Sequence, residues 1–126
     1  MAALWGAATL PSLASSHATA SSVAPGQRVN LCGWIHNPTP ANWWLTDSLG
    51  QWVLGTQGSE QVPGMDKIPD LSEKQWVATN GSYGYGCGCM NATVDRKNKR
   101  VLQVHSFKQK PLAVCRADRK LPKPGD

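Results

Sequence analysis

Cys87 and Cys89 are the residues whose type and spacing point most directly to chemistry in this sequence. They lie in the run Y-G-Y-G-C-G-C-M-N-A-T-V, which alternates by twos as a β-strand does, so both thiols point to the same side of the strand. Cys32 and Cys115 complete a set of four cysteines. Four cysteines in a short chain predict either two disulfides or one zinc ion held by four thiolates.

The spacing of the cysteines favours disulfides over zinc. Residues two apart on an extended strand have Cα atoms roughly 6.6 Å apart, at the edge of disulfide geometry, so Cys87 and Cys89 are not expected to bond to each other. Loop entropy does not distinguish Cys32–Cys87 with Cys89–Cys115 from Cys32–Cys89 with Cys87–Cys115. The spaced C-x-x-C knuckles typical of zinc sites do not occur in the sequence.

The strand that carries Cys87 and Cys89 is predicted to be the central strand, running from Val77 to Val94. One face of it presents tyrosines, cysteines and small polar residues (Tyr83, Tyr85, Cys87, Cys89, Asn91 and Thr93). The other face begins with three glycines (Gly84, Gly86 and Gly88) and continues with Met90, Ala92 and Val94. Because glycine has no side chain, another backbone or a bulky ring could lie close to that face.

The remaining segments predict short strands joined by turns and loops. In order they are a first strand at 28–36, a proline-containing break at 37–42, a hairpin at 43–57, an irregular loop at 58–71, a helical turn at 72–76, a polar turn at 95–99, a returning strand at 100–108 and a short helix at 111–118. Trp44 and Trp52 are candidates to pair across the hairpin, and the end of the chain from Leu121 is expected to fray. The predicted fold class is mostly β: a small single-domain antiparallel sheet or partly open barrel with short helical turns, stapled by two disulfides.

The first twenty residues contain no Lys, Arg, Asp or Glu and combine an apolar run with a small-residue site at Ala18–Ala20. This order resembles the apolar region and cleavage site of a secretory signal, and the segment is too short for a transmembrane span. We therefore predict a signal peptide at 1–20, a linker at 21–27, one disulfide-stabilised β domain at 28–122 and a tail at 123–126. The expected location is periplasmic or secreted, where disulfides persist.

Charge is distributed unevenly along the chain. The formal net charge is +5, but residues 96–126 carry +8 and residues 1–95 carry −3. A basic region of this kind could attract an acidic protein partner, an anionic glycan or a membrane headgroup, or it could be a solvated surface.

Aromatic and amide side chains around the proline-containing break are the candidate binding residues. The chain has six tryptophans and one phenylalanine, so three or four of the tryptophans are expected to belong to the core. Adjacent residues on a strand face opposite sides, and one member of the Trp43–Trp44 pair is therefore predicted to face outward. The candidate binding residues are Trp34, His36, Asn37, Asn42, Trp43, Trp44, Tyr83 and Tyr85.

No catalytic set is evident in the sequence. An enzyme would require His36 or His105 to meet Asp47 or Tyr85 in a pocket, and no G-x-S-x-G or other nucleophile motif accompanies these histidines. The glycine-rich run at 84–88 lacks the dinucleotide spacing and the lysine of a phosphate-binding loop. We predict no catalytic residue, no cofactor, no bound metal and no nucleic-acid partner.

Four longer motifs resemble a known family. They are C-G-W-I-H-N-P-T-P-A-N-W-W-L-T-D at 32–47, W-V-L-G-T-Q-G at 52–58, Q-W-V-A-T-N-G-S-Y-G-Y-G-C-G-C at 75–89 and P-L-A-V-C-R-A-D at 111–118. Together they resemble the domain of unknown function 4087 family, small and mostly bacterial proteins with export signals. The resemblance implies an exported protein with paired cysteines and implies no particular reaction.

These observations lead to three functional hypotheses. The first is a small exported binding protein, such as an inhibitor or immunity-type partner of a cell-envelope enzyme. The second is a module that binds a glycan or envelope polymer through an exposed tryptophan and the basic C-terminal third. An enzyme is the third.

Overall fold

The computed structural model describes residues 26–124, most of which lie in β-strands. The strands are β1 (Gln27–Thr39), β2 (Asn42–Asp47), β3 (Gly50–Gly55), β4 (Trp76–Asn80), β5 (Tyr83–Asp95) and β6 (Arg100–Lys110). Two 3₁₀ turns lie at Met65–Lys67 and Leu71–Glu73, and one helix, α1, spans Leu112–Ala117. The prediction of a mostly β fold with short helical turns and two disulfides is confirmed. The predicted signal at 1–20 and linker residues 21–25 lie outside the described residues.

Five of the strands close into a ring, although not a regular barrel. The strand order is β1-β2-β3-β6-β5-β4, and β1 also pairs with β5 along most of its length. Every pairing is antiparallel except that of β3 with β6, which is parallel and has the single register pair Val53–Arg100. A ring with five members cannot alternate direction throughout, so one parallel pair is required. The sheet is therefore mixed rather than wholly antiparallel.

The prediction of one strand from Val77 to Val94 is wrong, because the segment folds into a hairpin. A turn at Gly81 and Ser82 separates β4 from β5, with Asn80 paired to Tyr83 across it. Gly81 has φ +60°, which glycine adopts without the steric cost of a side chain. Glycine followed by serine is a two-residue hairpin signal, and here it outweighs the alternation that continues on both sides of the turn.

The first strand is longer than predicted. β1 continues through Pro38 to Thr39, and the chain turns only at Pro40 and Ala41. Pro38 is tolerated because it lies where the register with β2 shifts, between His36 and Thr39, and no regular ladder bond is lost there.

The main core lies inside the ring. Fully buried side chains from five strands fill it, with Ile35, Leu45, Trp52, Leu54, Met90, Val94, Val101 and Val104 the central members. The glycine face of β5 lets large rings approach: a Cβ on Gly88 would lie 2.3 Å from Phe107, and one on Gly86 would lie 2.9 Å from Trp76. The predicted close approach of a bulky ring to these glycines is confirmed.

A second apolar cluster covers the outer face of β1 and β5. Trp34, Cys87 and Cys115 are buried there, and Tyr85, Leu112 and Leu121 pack against them. Leu121 also donates its backbone N–H to the carbonyl of Asp118, so the chain is packed at this residue rather than frayed.

The disulfides are Cys32–Cys89 and Cys87–Cys115, the second of the two predicted pairings. All four thiols are therefore in disulfides, and the zinc alternative is wrong. The first bond joins β1 to β5 at directly opposed residues, and the second fixes α1 on the outer face of β5.

Candidate functional site

A row of aromatic side chains crosses the outer face of the sheet. His36 lies directly opposite Trp44 of β2 and Tyr85 of β5, and Trp34 lies two residues before His36 on the same face of β1. His36 stacks on Trp44 with ring centroids 5.1 Å apart and lies 5.6 Å from Tyr85. The Trp34 and Tyr85 rings meet edge to face at 5.4 Å. We call these four residues the aromatic row.

The aromatic row lines a groove with a volume of about 390 Å³. Its other walls are formed by Pro38, Thr46, Gln51, Thr79 and Gly84, and by Lys123 and Pro124 from the C-terminal segment. An adjoining depression of about 360 Å³ shares Trp34, Tyr85, Lys123 and Pro124 with this groove. The volume falls within the range typical of small-ligand sites. We call the first cavity the aromatic groove.

His36 is the most deeply buried polar residue of the groove. It is 8% exposed, and desolvation lowers its pKa from 6.5 to about 4, so the imidazole is neutral near pH 7. Among residues 26–124 its ring has no hydrogen-bond partner, although buried polar side chains are usually satisfied. A ligand or a water molecule in the groove would supply the missing partner.

Two half-buried polar groups of the groove are also available to a ligand. Within the described part of the chain, the indole N–H of Trp44 and the hydroxyl of Tyr85 have no hydrogen-bond partner. By contrast, Trp52 donates to an aspartate carboxylate at 3.0 Å and Trp76 to a backbone carbonyl at 3.1 Å. The groove therefore combines apolar ring surface with unused donors, as recognition sites commonly do.

The charge of the groove is positive. Lys123 is its cationic side chain, and no carboxylate lines it among residues 26–124. The one acidic residue of β2, Asp47, instead accepts hydrogen bonds from Trp52 and from the backbone of Leu49. The groove therefore favours a neutral or anionic ligand.

The structure brings together only one of the pairs that an enzyme would require. His36 and Tyr85 share the groove, but the rings are not hydrogen-bonded and the lowered pKa makes His36 a weak base. His105 lies on β6, where it forms a 2.7 Å hydrogen bond with Thr93.

The eight predicted binding residues do not form one site. Trp34, His36, Trp44 and Tyr85 line the aromatic groove, whereas Asn37, Trp43 and Tyr83 line a separate pocket of about 230 Å³ beside the loop at 68–72.

Asn42 lines neither cavity. Its side chain bonds to Thr39 across the β1–β2 turn and accepts the backbone N–H of Gln57 at 2.7 Å, so it holds two loops together.

The outward member of the Trp43–Trp44 pair is Trp44, since Trp43 packs against the core. Trp44 pairs with Val53 and Trp52 with Leu45, so the suggested pairing of the two tryptophans is wrong. Trp44 points outward and Trp52 lies in the core, which explains why they do not meet.

Sequence reasoning missed six polar or proline residues of the groove: Pro38, Thr46, Gln51, Thr79, Lys123 and Pro124. Thr46 and Gln51 face each other across the β2–β3 hairpin, and only its register reveals that they belong beside Trp34. Lys123 and Pro124 belong to the predicted tail, and nothing local in the sequence indicates that they line the same groove as residues of β1 and β5.

Two further observations concern the setting of the protein. Both disulfides are consistent with an oxidising compartment. Within residues 26–124 no helix has the length and hydropathy needed to cross a bilayer.

Comparison with known proteins places the chain in one family. No curated protein and no solved structure matches it. A family model described as "Protein of unknown function (DUF4087)" matches residues 27–122, which include nearly all of the described structure. The chain therefore belongs to the DUF4087 family.

Proposed function

We propose that this protein is a non-enzymatic binding protein that is exported to the periplasm or secreted, and that it holds its ligand in the aromatic groove. The observation that carries the proposal is the buried His36, which lines the groove and has no hydrogen-bond partner among residues 26–124, beside the half-buried Trp44 and Tyr85. A buried polar group is costly to leave unsatisfied in a folded protein, and a bound ligand would satisfy His36.

The ligand proposed first is a protein of the cell envelope, which this chain would inhibit or neutralise. Two disulfides and a closed ring of strands give a rigid scaffold, and a rigid surface loses little entropy on binding. Tryptophan and tyrosine are also the residues that most often dominate the energy of protein interfaces.

A site-specific cross-linking experiment tests this function. A photoreactive amino acid replaces Gln51, which is exposed at the groove, and in a matched control it replaces Gln103, which is exposed on β6 away from the groove. We expect irradiation in periplasmic extract to yield a specific adduct at position 51 that is absent at position 103. Adducts that are equal at the two positions, or absent from both, would contradict a protein ligand in the groove.

A glycan or envelope polymer is the second candidate ligand. Aromatic rings stack on sugars, and here the amide of Gln51, the hydroxyls of Thr46 and Thr79 and the amine of Lys123 surround the rings. Titration with peptidoglycan fragments or an anionic polysaccharide should quench tryptophan fluorescence, and Trp44→Ala should abolish that quenching. Unchanged fluorescence throughout the titration would remove this candidate.

A further inference from the structure

We propose that the aromatic groove binds an extended, proline-containing segment of a protein partner, with an acidic side chain beside the prolines. This inference rests on the proposed function, because it specifies the chemistry of a protein ligand in the same groove. Three features of residues 26–124 support this inference. They are the chain's own proline-containing segment, the hydrogen-bond donors of the groove that have no partner, and the charged side chains at the edge of the groove.

The chain's own C-terminal segment places two prolines beside this face. Pro122 and Pro124 line the adjoining depression together with Trp34 and Tyr85, and Pro124 also borders the aromatic groove. A Pro-x-Pro segment favours the extended polyproline II conformation, so it packs on aromatic rings with little loss of conformational entropy. The groove continues past Pro124 to Trp44, where a second segment of the same kind has room to lie.

The unpaired donors match what a polyproline II segment presents. Such a segment makes no internal hydrogen bonds, and its backbone carbonyls point outward. The indole N–H of Trp44 and the hydroxyl of Tyr85 have no partner in the described structure, and both residues line the groove. Donors on apolar rings can hold carbonyl oxygens while the rings cover the prolines.

The charged side chains at the edge of the groove determine which proline-containing segments bind best. Lys123 lines the groove, which has no carboxylate among the residues described, whereas the adjoining depression adds Arg116 and one carboxylate, Asp118. An aspartate or glutamate in the ligand would pair with Lys123, whereas a basic segment would be repelled. The preferred ligand is therefore acidic as well as proline-containing.

Fluorescence anisotropy with synthetic peptides tests this inference. The probe is a labelled peptide with aspartate between its prolines, and the comparison peptides replace aspartate by lysine or proline by serine. We expect saturable binding of the acidic proline peptide and at least tenfold weaker binding of both comparison peptides. An unlabelled peptide with the chain's own ending, L-P-K-P-G-D, is included as a competitor and should compete weakly.

Conservative variants locate the binding site. Tyr85→Phe keeps the ring and removes one donor, so it should weaken binding about three- to tenfold, whereas the matched Tyr83→Phe in the separate pocket should not. Lys123→Ala should reduce the preference for aspartate over lysine, and Lys97→Ala in the β5–β6 turn serves as its control.

Other outcomes would overturn the inference. Equal effects of the variants and their controls would show that the peptide binds outside the aromatic groove. If no proline peptide bound, the proposal of a proline-containing ligand would be wrong. If cross-linking through position 51 still captured a protein, the proposed function would stand without this ligand class. Strong competition by the chain's own ending would indicate a second copy of this chain as the occupant, and quenching by glycans alone would indicate a carbohydrate.

Discussion

His36 belongs to the aromatic groove and also affects the stability of the folded protein. Its imidazole stacks on Trp44, is nearly inaccessible to solvent and has no hydrogen-bond partner among residues 26–124. Burial without a counter-charge disfavours the protonated form, and this is the physical reason for the lowered pKa. The neutral ring can still donate one hydrogen bond to a ligand and accept another, so His36 is suited to ligand recognition.

The first prediction follows from the pKa of His36. The folded pKa is about 4 and the unfolded value is near 6.5, so the unfolded state binds more protons between these values. Stability should therefore fall as the pH is lowered from 6.5 to 4, by up to about 3 kcal/mol at 1.36 kcal/mol per pKa unit. Urea unfolding of the wild type and His36→Gln at pH 7 and pH 4.5 measures this loss, which should be smaller in the variant.

His105→Gln is the matched control, because His105 is half-buried and hydrogen-bonded to Thr93. If His36→Gln retained the full loss of stability on acidification, the assignment of that loss to His36 would be wrong.

Gly88 carries a second prediction at the residue scale. A Cβ there would lie 2.3 Å from Cζ of Phe107 and 3.0 Å from the carbonyl oxygen of Lys108, so Gly88→Ala must displace the ring. Overpacking of this kind costs about 1–3 kcal/mol of unfolding free energy, measurable by urea denaturation. Phe107→Leu is the second arm of the test, because adding it to Gly88→Ala should recover part of the loss. Additive losses in the double variant would show that the two residues do not compete for space.

At the scale of elements, β5 is a strand that the sequence pattern predicts directly. Its period of two separates a buried face, with Met90, Ala92 and Val94, from a face that bears the cysteines. The alternation sufficed to predict the strand, the glycine contacts and the absence of a Cys87–Cys89 bond. It could not predict the hairpin at Gly81, since β4 and β5 alternate in the same manner on both sides of the turn.

The groove was predictable only in part, for reasons of register and distance. Trp34 and His36 share a face by their spacing on β1, but their opposition to Thr46 and Trp44 depends on how β1 aligns with β2. Side-chain pattern alone leaves that alignment open. Leu121 packs beside the Cys87–Cys115 bond, and loop entropy does not distinguish that pairing from its alternative.

The third prediction concerns α1, which is fixed to the sheet by Cys87–Cys115. The helix has six residues, too few to be stable alone, so the disulfide and the contacts of Leu112 and Leu121 hold it in place. Replacing both cysteines by alanine should cost about 3.5 kcal/mol according to the loop-entropy model. Hydrogen exchange should show faster exchange at 112–121 and continued protection in β1 and β5.

Cys32→Ala with Cys89→Ala is the control for that prediction, because this disulfide joins two strands that are already paired. The control should leave exchange at 112–121 unchanged. If both double variants released the helix equally, the disulfide to Cys115 would not be its specific anchor.

At the scale of the whole molecule, ring closure is the feature least visible in the sequence. It depends on the single parallel pair Val53–Arg100, on the bond from the N–H of Val53 to the carbonyl of Lys99, and on Lys99 lying 4.4 Å above the ring of Trp52. β3 and β6 are far apart in sequence, and neither contains a signal for the other. Their pairing follows from the two hairpins and the β1–β5 ladder once these have formed.

The fourth prediction is that reduction removes half or more of the stability of the protein. The two disulfides join cysteines that are 57 and 28 residues apart in sequence, and they are worth about 4 and 3.5 kcal/mol in the loop-entropy model. Domains of this size have total stabilities of roughly 5–15 kcal/mol, so the loss should amount to at least half of the total. Urea unfolding monitored by tryptophan fluorescence, with and without a phosphine reductant, should show the midpoint falling to half its value or lower. A reduced protein that kept most of its midpoint would contradict this, and it would also weaken the argument for export, because such a domain would not need an oxidising compartment to stay folded.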